Sequence, residues 1–270
     1  MTLTIFDVGQ GFCAYLIADN RNVILFDCGQ NSDTGFKPSQ YLPTHGCRAI
    51  EEFILTNFDQ DHVSDLPDLM GNLHIQVFRR NRSITPEQLA KLKLESGPLT
   101  AAMQSAIDLH RRYVEPVANP PSFGIIQLES YCNNYPAFND TNNLSLVSFL
   151  DYDRLGIIIP GDLEKDGWLA LLKNQAFRDR LSSVDIFVAS HHGRENGYCP
   201  EIFQYCKPLV VIISDKEIMH DTQKSLYGQH ASGLPWAGGT KRYVLTTRAD
   251  GNIRITKMPG QSTQITTGVT

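Results

Sequence analysis

Several features that would assign the 270-residue chain to a particular class of protein are missing from its sequence. No apolar run approaches the roughly 20 residues that a membrane-spanning helix needs. The first residues, from Thr2 to Phe6, have a strand pattern and not a basic and then apolar leader. Repeats, low-complexity tracts and linkers are also missing. We therefore expect a cytoplasmic protein with no membrane partner, folded as a single domain over residues 1–270.

Cysteine is sparse and widely scattered. The sequence holds no CxxC pair and no dense spacing, which argues against both a secreted disulfide framework and a zinc–thiolate motif. We interpret all six cysteines as reduced thiols of the core or surface, with Cys28 the one that could approach a functional site. They are Cys13, Cys28, Cys47, Cys132, Cys199 and Cys206.

Positive charge is also in short supply, because 24 Lys and Arg face 29 Asp and Glu, for a net charge of −5. Proteins that wrap duplex nucleic acid gain much of their affinity by neutralising phosphates, so a broad basic binding face is not expected. A nuclease is still allowed, since divalent cations reverse the charge of an acidic cleft locally. Five arginines are enough to line a channel, although solvated faces are the preferred interpretation: Arg79, Arg80, Arg82, Arg111 and Arg112.

What the chain does contain is a recurring pattern in which a strand-like apolar run ends in acidic or imidazole side chains. Open sheets bind ligands beyond the carboxyl ends of their strands, so several such ends predict one metal site at one edge. Helix capping is the alternative for each acid taken alone, but it does not account for the neighbouring imidazoles. The candidates are Asp59, Asp61 and His62 after the first run, Asp162 after the second, and His191 and His192 after the third.

The hydrophobic pattern predicts two β-rich blocks with helices between them. Asp250-Gly251 is a turn signal, so the last two strands are predicted to form a hairpin, and residues 259–270 are polar enough to fray. We expect an α+β fold, an αββα sandwich of two sheets packed face to face with helices outside. Strands are predicted at 2–8, 12–18, 23–26, 124–131, 144–150, 155–159, 185–189, 209–214, 242–246 and 252–256, and helices at 63–72, 86–115 with a break near 97, 164–180 and 200–206.

Six short motifs occur in a characteristic order: FDVGQG at 6–11, FDCG at 26–29, NFDQDH at 57–62, NNLSLV at 142–147, GD at 161–162 and HHG at 191–193. Together they resemble the metallo-β-lactamase fold superfamily, and within it the hydrolase domain of the ComEC-type DNA-uptake proteins, here in a soluble, stand-alone form. The resemblance implies two mixed sheets with a divalent-metal site at their upper edge that hydrolyses phosphodiesters, esters or amides. It carries no role in transport, since the chain has no membrane channel.

The resemblance also implies a ligand set. It implies that Asp61, His62 and one histidine of the 191–192 pair bind the first metal. Asp162 would bridge the first metal to a second, and Asp59 would bind the second. So many oxygen donors suit Mn²⁺ at least as well as Zn²⁺.

Asn57 departs from the family pattern, because it stands where the family's metal motif begins with histidine. An amide oxygen is a poorer ligand than imidazole, so one of the two ions is expected to be weakly held or missing, and the count of one or two stays open.

The histidine pair is interpreted from strand geometry. Adjacent residues of an extended strand face opposite sides, so only one of the two is expected to bind metal, and we favour His192. Asp61 and Asp162 then position a metal-activated water, and His191 helps on the phosphate side. Further help is considered from Lys216 and Asp215, which follow a strand end, and from His230. The other histidines are interpreted as loop, surface or packing residues: His45, His74, His110 and His220.

The leading functional hypothesis is a metal-dependent phosphodiesterase or nuclease, with DNA or another phosphodiester as substrate. A small-molecule ester, lactone or cyclic-nucleotide hydrolase is the first alternative, favoured if the helices over 86–115 enclose a small pocket. The second alternative is a catalytically degenerate binding or regulatory subunit, which Asn57 suggests. Protein partners and oligomeric state are not indicated by the sequence.

Overall fold

The computed structural model describes residues 1–216 and 221–269 of the chain. In chain order its strands are β1 Thr2–Ile5, β2 Ala14–Ile17, β3 Val23–Phe26, β4 Ala49–Ile54, β5 His74–Arg79, β6 Gln127–Cys132, β7 Leu146–Tyr152, β8 Leu155–Ile159, β9 Ile186–Val188, β10 Val210–Ile213, β11 Leu234–Pro235, β12 Lys241–Arg242, β13 Val244–Thr246, β14 Ile253–Thr256 and β15 Gln264–Thr267. Its α-helices are α1 Pro38–Thr44, α2 Gln60–Val63, α3 Leu66–Asn72, α4 Pro86–Ser96, α5 Ala101–Arg112, α6 Lys165–Leu171, α7 Gln175–Leu181, α8 Lys224–His230 and α9 Thr247–Asp250. Short 3₁₀ turns lie at Ser190–Gly193, Glu195–Gly197, Pro200–Gln204 and Ala237–Gly239.

The strands of the described residues form two large mixed sheets and a small ribbon of β11 and β12. The first sheet has the order β15-β14-β1-β2-β3-β4-β5, in which β3, β4 and β5 are parallel. The second has the order β13-β10-β9-β8-β7-β6, in which β8, β9, β10 and β13 are parallel. Each sheet therefore has a parallel part whose strands all end at one edge.

Three apolar clusters show how the layers are stacked. The middle cluster lies between the sheets and joins residues such as Ile5 and Phe26 of the first to Ile157 of the second. A second cluster packs the outer face of the first sheet against α1, α3, α4 and α5, and a third packs the outer face of the second sheet against α6, α7 and α8. The predicted αββα sandwich of two mixed sheets with helices outside is confirmed.

The strands that lead to the site are buried on both faces. All four residues of β3, all five of β8 and all four of β10 are buried. Strands covered on both sides need no polar alternation, which is why they occur as continuous apolar runs in the sequence.

The predicted break in the 86–115 helical region is confirmed, because α4 ends at Ser96 and α5 begins at Ala101. Thr85 starts α4 with a reciprocal capping box to Gln88, and Thr100 caps α5 by accepting a hydrogen bond from the Met103 amide. These caps set where each helix begins.

The end of the chain differs from the prediction. The predicted hairpin is wrong, because β13 pairs with β10 in the second sheet, whereas β14 pairs with β1 in the first. The Asp-Gly turn instead ends the short helix α9 between them. The predicted fraying of residues 259–270 is also wrong for β15, which pairs with β14.

Two predicted helices have a different form. The helix predicted over 164–180 is two helices, because Asn174 caps a new one by accepting from the Ala176 amide. The helix predicted over 200–206 is a 3₁₀ turn. None of the helices in the described part of the chain combines the length and the apolar character that crossing a bilayer requires.

Candidate metal centre

Four side chains bring their metal-binding atoms within 4.8 Å of one another: Asp61, His62, Asp162 and His192. We call them the four-ligand group. Asp61 and His62 follow β4, Asp162 follows β8 and His192 follows β9, so the group is built at the carboxyl ends of parallel strands from both sheets. Asp61 is partly exposed and the other three are buried.

The distances within the four-ligand group suit a common ion. His62 Nε2 lies 3.0 Å from Asp162 Oδ1, and His192 Nε2 lies 3.3 Å from Asp61 Oδ2 and 3.5 Å from Asp162 Oδ1. A tetrahedral ion with bonds of about 2.1 Å holds its ligand atoms about 3.4 Å apart. The two Nε2 atoms are buried and make no hydrogen bond of acceptable geometry to any described residue. Two imidazoles and two carboxylates, with the imidazole nitrogens unsatisfied, fit a divalent metal ion.

The other nitrogen of each imidazole is fixed from behind. His62 Nδ1 donates to Asp27 Oδ2 at 2.6 Å, and His192 Nδ1 donates to the Ser214 carbonyl oxygen at 3.0 Å. Such bonds set the tautomer of a ligating histidine and aim its Nε2 at the metal. Asp27 is in turn held by the Thr56 amide at 2.7 Å.

Asp27 belongs to the candidate centre through its bond to His62, but it was not predicted as a site residue, although it lies in the FDCG motif. A signal was present, because Asp27 directly follows the apolar strand β3 in the same way that Asp162 follows β8. Asp27 is completely buried, which raises the pKa of its carboxyl, while His62 opposes the shift.

Two glycines of the quoted motifs allow Asp61 to reach the centre. Gly11 has φ +128°, and a Cβ on it would lie 2.2 Å from the Asp61 carbonyl oxygen. A Cβ on Gly29 would lie 2.5 Å from the same oxygen. Any side chain at either position would therefore push the Asp61 loop away from β2 and β3.

The two carboxylates and two imidazoles of the four-ligand group shift each other's pKa values. Burial alone lowers the pKa of His62 and His192, but the facing carboxylates outweigh it, so that the pKa of His192 rises to about 9 and that of His62 also rises. Burial alone raises the pKa of Asp61 and Asp162, but the imidazoles hold both below their ordinary range. A divalent ion held by these residues would supply the positive charge that protonated imidazoles otherwise provide.

His191 and His192 do not lie on an extended strand, so the geometric reason for choosing between them was wrong. Both occupy the left-handed region, with φ values of 49° and 56°, in the turn after β9. His192 enters the four-ligand group, while His191 Nε2 stays 4.0 Å from Asp162 Oδ2 and accepts a hydrogen bond from Arg194 Nη1 at 3.0 Å. Burial lowers the pKa of His191 to about 4 despite Asp162, so this imidazole is neutral.

Asn57 and Asp59, the remaining predicted ligands, belong to a different network. Asn57 Oδ1 accepts from the Asp59 amide at 3.0 Å, and Asn57 Nδ2 donates to Asn142 Oδ1 at 3.0 Å. Asp59 Oδ1 accepts from Thr141 Oγ1 at 2.9 Å and forms an ion pair with the buried Lys93. We call Asn57, Asp59, Lys93, Thr141 and Asn142 the lysine cluster.

Lys93 was not singled out from the sequence, because a lysine on an amphipathic helix is ordinarily solvated. It projects from α4 and only 8% of it is exposed. Burial lowers the pKa of Lys93 to about 8, and the charge of Asp162 opposes the shift. The ammonium therefore acts electrostatically on the four-ligand group as well as on Asp59.

In the part of the chain that the structure describes, neither Asp59 nor Asp162 caps a helix with its side chain, as the alternative interpretation required. Asp59 stands at the N-cap of α2, yet within the described residues its side chain makes no capping hydrogen bond. The N-cap of α6 is Glu164, not Asp162.

The chain is similar in sequence to a much longer protein. ComE operon protein 3 of Bacillus subtilis (strain 168) is 24% identical to it over 243 residues, which cover 82% of this chain and 29% of that protein. The chain thus spans less than a third of the length of that relative. No protein-family model matches the sequence.

Solved structures with a similar fold include metallo-β-lactamases. Zn²⁺-bound PqqB of Methylobacterium extorquens has a TM-score of 0.40 and 13% identity, covering 70% of this chain and 72% of that one. A diphosphatase of the PhnP family has a TM-score of 0.48 and 10% identity, with coverages of 96% and 98%. A motif mutant of a metallo-β-lactamase from Cronobacter sakazakii has a TM-score of 0.42 and 14% identity, with coverages of 68% and 74%. At these identities the similarity concerns the fold alone.

Most of the arginines considered for a nucleic-acid channel are occupied within the fold. Arg80 is buried and donates to the Phe78 and His110 carbonyl oxygens. Arg79 pairs with Glu52, Arg82 donates to the Val114 carbonyl oxygen, and Arg111 pairs with Glu87 and Asp108. They therefore support β5 and α5 and do not line the centre.

Other residues considered as helpers have partners of their own. His230 Nε2 lies 2.7 Å from Tyr198 Oη, and its ring stacks on Phe203. Lys216 pairs with Asp33 at 2.5 Å. His220 lies outside the described residues.

Asp215 is nearly completely buried and lies 3.2 Å from Arg248 Nε. Cys28 is buried below the centre, where its amide donates to the His62 carbonyl oxygen at 2.8 Å. All six cysteines fall within the described residues and form no disulfide.

A surface groove of about 660 Å³ adjoins the turn that carries His191. Its lining mixes one cation with acids and amides: Arg194, Glu195, Asn196, Asp221 and Gln223. Arg194 links the groove to the centre, because its guanidinium also holds His191.

Proposed function

We propose that the protein is a divalent-metal-dependent hydrolase of phosphodiesters, related to the hydrolase domain of ComEC-type proteins, with Mn²⁺ or Zn²⁺ as its ion. The observation that carries the proposal is the four-ligand group, in which two buried imidazole nitrogens converge on two carboxylates without hydrogen-bond partners among the described residues. The relative in Bacillus subtilis, 24% identical over 82% of the chain, supports the ComEC-type branch that the six motifs resemble.

Asp61, His62, Asp162 and His192 would hold the ion, which would supply a water of lowered pKa and a Lewis acid for developing negative charge. Asp162 is positioned for this by Ser145 Oγ, which accepts from its amide at 3.1 Å. Together with Asp61 it would orient the attacking water. Desolvated carboxylates that keep their charge suit this task. The facing imidazoles hold the pKa of both acids low without an ion, and a bound divalent ion would take over that role.

The phosphodiester class is supported by the residues beside the centre. Arg194 lines the surface groove, and its guanidinium also contacts His191 of the centre. Guanidinium groups bind phosphate oxygens through several parallel donors. Neutral His191, held by Arg194, adds a second polar group on the same side of Asp162.

The test compares substrate classes on metal-stripped protein before and after Mn²⁺ or Zn²⁺ is restored. We expect hydrolysis of bis(p-nitrophenyl) phosphate and of a fluorescent single-stranded oligonucleotide, lost on chelation and regained with metal. Turnover of p-nitrophenyl acetate or a lactone alone would replace the proposal by a small-molecule hydrolase. Retention of a nucleic-acid ligand without turnover, with or without metal, would instead indicate a binding subunit.

A further inference from the structure

We propose that Lys93 takes the place of a second metal ion, so that its ammonium neutralises Asp59 and the protein binds one divalent ion per chain. This inference rests on the proposed function for the first ion, held by the four-ligand group. It assigns to the chain itself the second positive charge of the centre.

Asp59 lies beside the four-ligand group and pairs with a cation of the chain. It lies two residues before Asp61, at the same strand end as the four-ligand group, yet it is not part of that group. Its side chain is 26% exposed, and its Oδ1 faces Lys93 and Thr141. Asp59 thus has a cation already, provided by α4.

Hydrogen bonds hold the ammonium group of Lys93 in place. Lys93 Nζ donates to Thr141 Oγ1 at 3.1 Å, and Thr141 Oγ1 donates to the same Asp59 oxygen at 2.9 Å. The stem of Lys93 is covered by the packing of α4, whose position the Thr85 capping box fixes. A buried charge that is paired and hydrogen-bonded in this way keeps its geometry.

The amide side chains around Asp59 are already engaged in hydrogen bonds. Asn57 Oδ1 accepts from the Asp59 amide, and Asn57 Nδ2 donates to Asn142 Oδ1. Asn142 Nδ2 donates in turn to Glu164 Oε1 at 2.9 Å. The two amide oxygens that could act as ligands are therefore engaged as hydrogen-bond acceptors inside the network.

Charge repulsion between the Lys93 ammonium and a divalent ion also opposes a second metal. A divalent ion at Asp59 would have to share one carboxylate with an ammonium ion, and like charges within a few ångströms repel strongly in a partly buried site. Removing the ammonium frees Asp59 and the space beside it. The lysine cluster therefore excludes a second ion as long as Lys93 is present.

The test is metal stoichiometry, measured by elemental mass spectrometry and by calorimetric titration with Mn²⁺. We expect near one ion per chain in the wild type and in the control Lys91→Met, a change of an exposed lysine on the same helix. Lys93→Ala should gain a second ion, bound at least about tenfold more tightly than any second ion of the wild type. Lys93→Gln, which is uncharged but can still hydrogen-bond to Thr141, should also gain the second ion. This variant provides the test if the alanine variant folds poorly.

Asp59→Asn in the Lys93→Ala background identifies the ligand, because the second ion should then be lost and the first kept. Two ions in the wild type, or one ion in both Lys93 variants, would overturn the inference and leave Lys93 a structural ion pair. Substrate turnover is read separately. A chain with one ion that cleaves no phosphodiester contradicts the proposed function and leaves the inference standing.

Discussion

The four-ligand group and the lysine cluster lie side by side at the same strand ends, yet they satisfy their polar atoms in opposite ways. In the four-ligand group, the Nε2 atoms of His62 and His192 are buried without a hydrogen-bond partner among the described residues. In the lysine cluster, Asp59 and Asn57 bond to Lys93, Thr141 and Asn142. The four-ligand group therefore leaves buried nitrogen atoms without a partner in the described part of the chain, whereas the lysine cluster pairs its carboxylate with a cation of the chain.

This difference teaches that acidic and amide residues at motif positions can have quite different surroundings, so that the motif alone does not identify the ligands. Asp59 and Asp61 are two residues apart and were predicted as ligands for the same reason. The orientation of their neighbours separates them, because Asp61 faces an imidazole whose other nitrogen is fixed by Ser214, whereas Asp59 faces an ammonium.

The largest expected effect is that of Asp162→Ala. Asp162 approaches both metal-facing imidazoles, so its loss should remove the ion and lower phosphodiester turnover at least about a thousandfold, since the ion supplies several kcal/mol of transition-state stabilisation. The fold should persist, because Asp162 follows β8 and is not part of the strand. Metal content, turnover and the far-ultraviolet circular dichroism spectrum are the measurements.

Asp59→Asn is the matched change on the other side of the comparison. Like Asp162→Ala, it removes the charge of one carboxylate, here in the lysine cluster, and it should leave one ion bound. If Asp162→Ala kept full turnover, or if Asp59→Asn lost the ion as completely, the division of the centre into two unlike halves would be wrong.

Substitutions in the histidine pair should have the next largest effect on metal binding. They test whether His192 alone, and not His191, belongs to the four-ligand group. His192→Asn removes a ligand and should weaken Mn²⁺ or Zn²⁺ binding by more than the roughly 10- to 100-fold typical of a change in the residues behind the ligands. His191→Asn should change affinity only a few-fold and lower turnover instead, because His191 bonds to Arg194 and lies beside the group. Calorimetric titration of both variants separates the two roles, and equal losses of affinity would place both histidines on the metal.

Local sequence patterns were sufficient for the elements that surround the centre. The runs of β3 and β8 are apolar throughout because both their faces are covered, and their bounds were predicted correctly. Asp61, His62, Asp162 and His192 follow strands of a parallel arrangement, which is why a strand-end rule could bring them together. Asp27 obeys the same rule and could have been found by it.

What could not be predicted depends on contacts between distant residues. The turn signal at Gly251 is genuine, but Val244 pairs with Val211 and Ile253 pairs with Ile5, so the flanking strands enter different sheets. Lys93 is similar, since only the packing of α4 against the loop of Thr141 shows that its ammonium is buried. Neither fact has a local signal in the sequence.

The smallest expected effect concerns a histidine that lies outside the four-ligand group, where no carboxylate of the described residues outweighs the effect of burial on its pKa. Carboxylates raise the pKa of His192 to about 9, whereas burial, assisted by Arg80, lowers the pKa of His110 to about 4 from an ordinary value of 6.5. His110 lies on α5, with Arg80 Nε donating to its Nδ1 at 3.5 Å, so it must remain neutral. The unfolded chain takes up this proton below pH 6.5 and the folded chain only near pH 4, so His110 costs stability as the pH falls between those values.

His110→Asn, which keeps an acceptor for Arg80 and cannot be protonated, should remove that cost. We expect the free energy of unfolding of the wild type to fall by about 1 to 2 kcal/mol more than that of the variant between pH 7 and about pH 4.5, a range reduced for solvent screening. Urea unfolding of both proteins at the two pH values measures the difference. Because the variant leaves all carboxylates and the other imidazoles in place, their contributions cancel in the comparison. Parallel losses in both proteins would show that the folded and unfolded chains protonate His110 alike, and that burial does not lower its pKa.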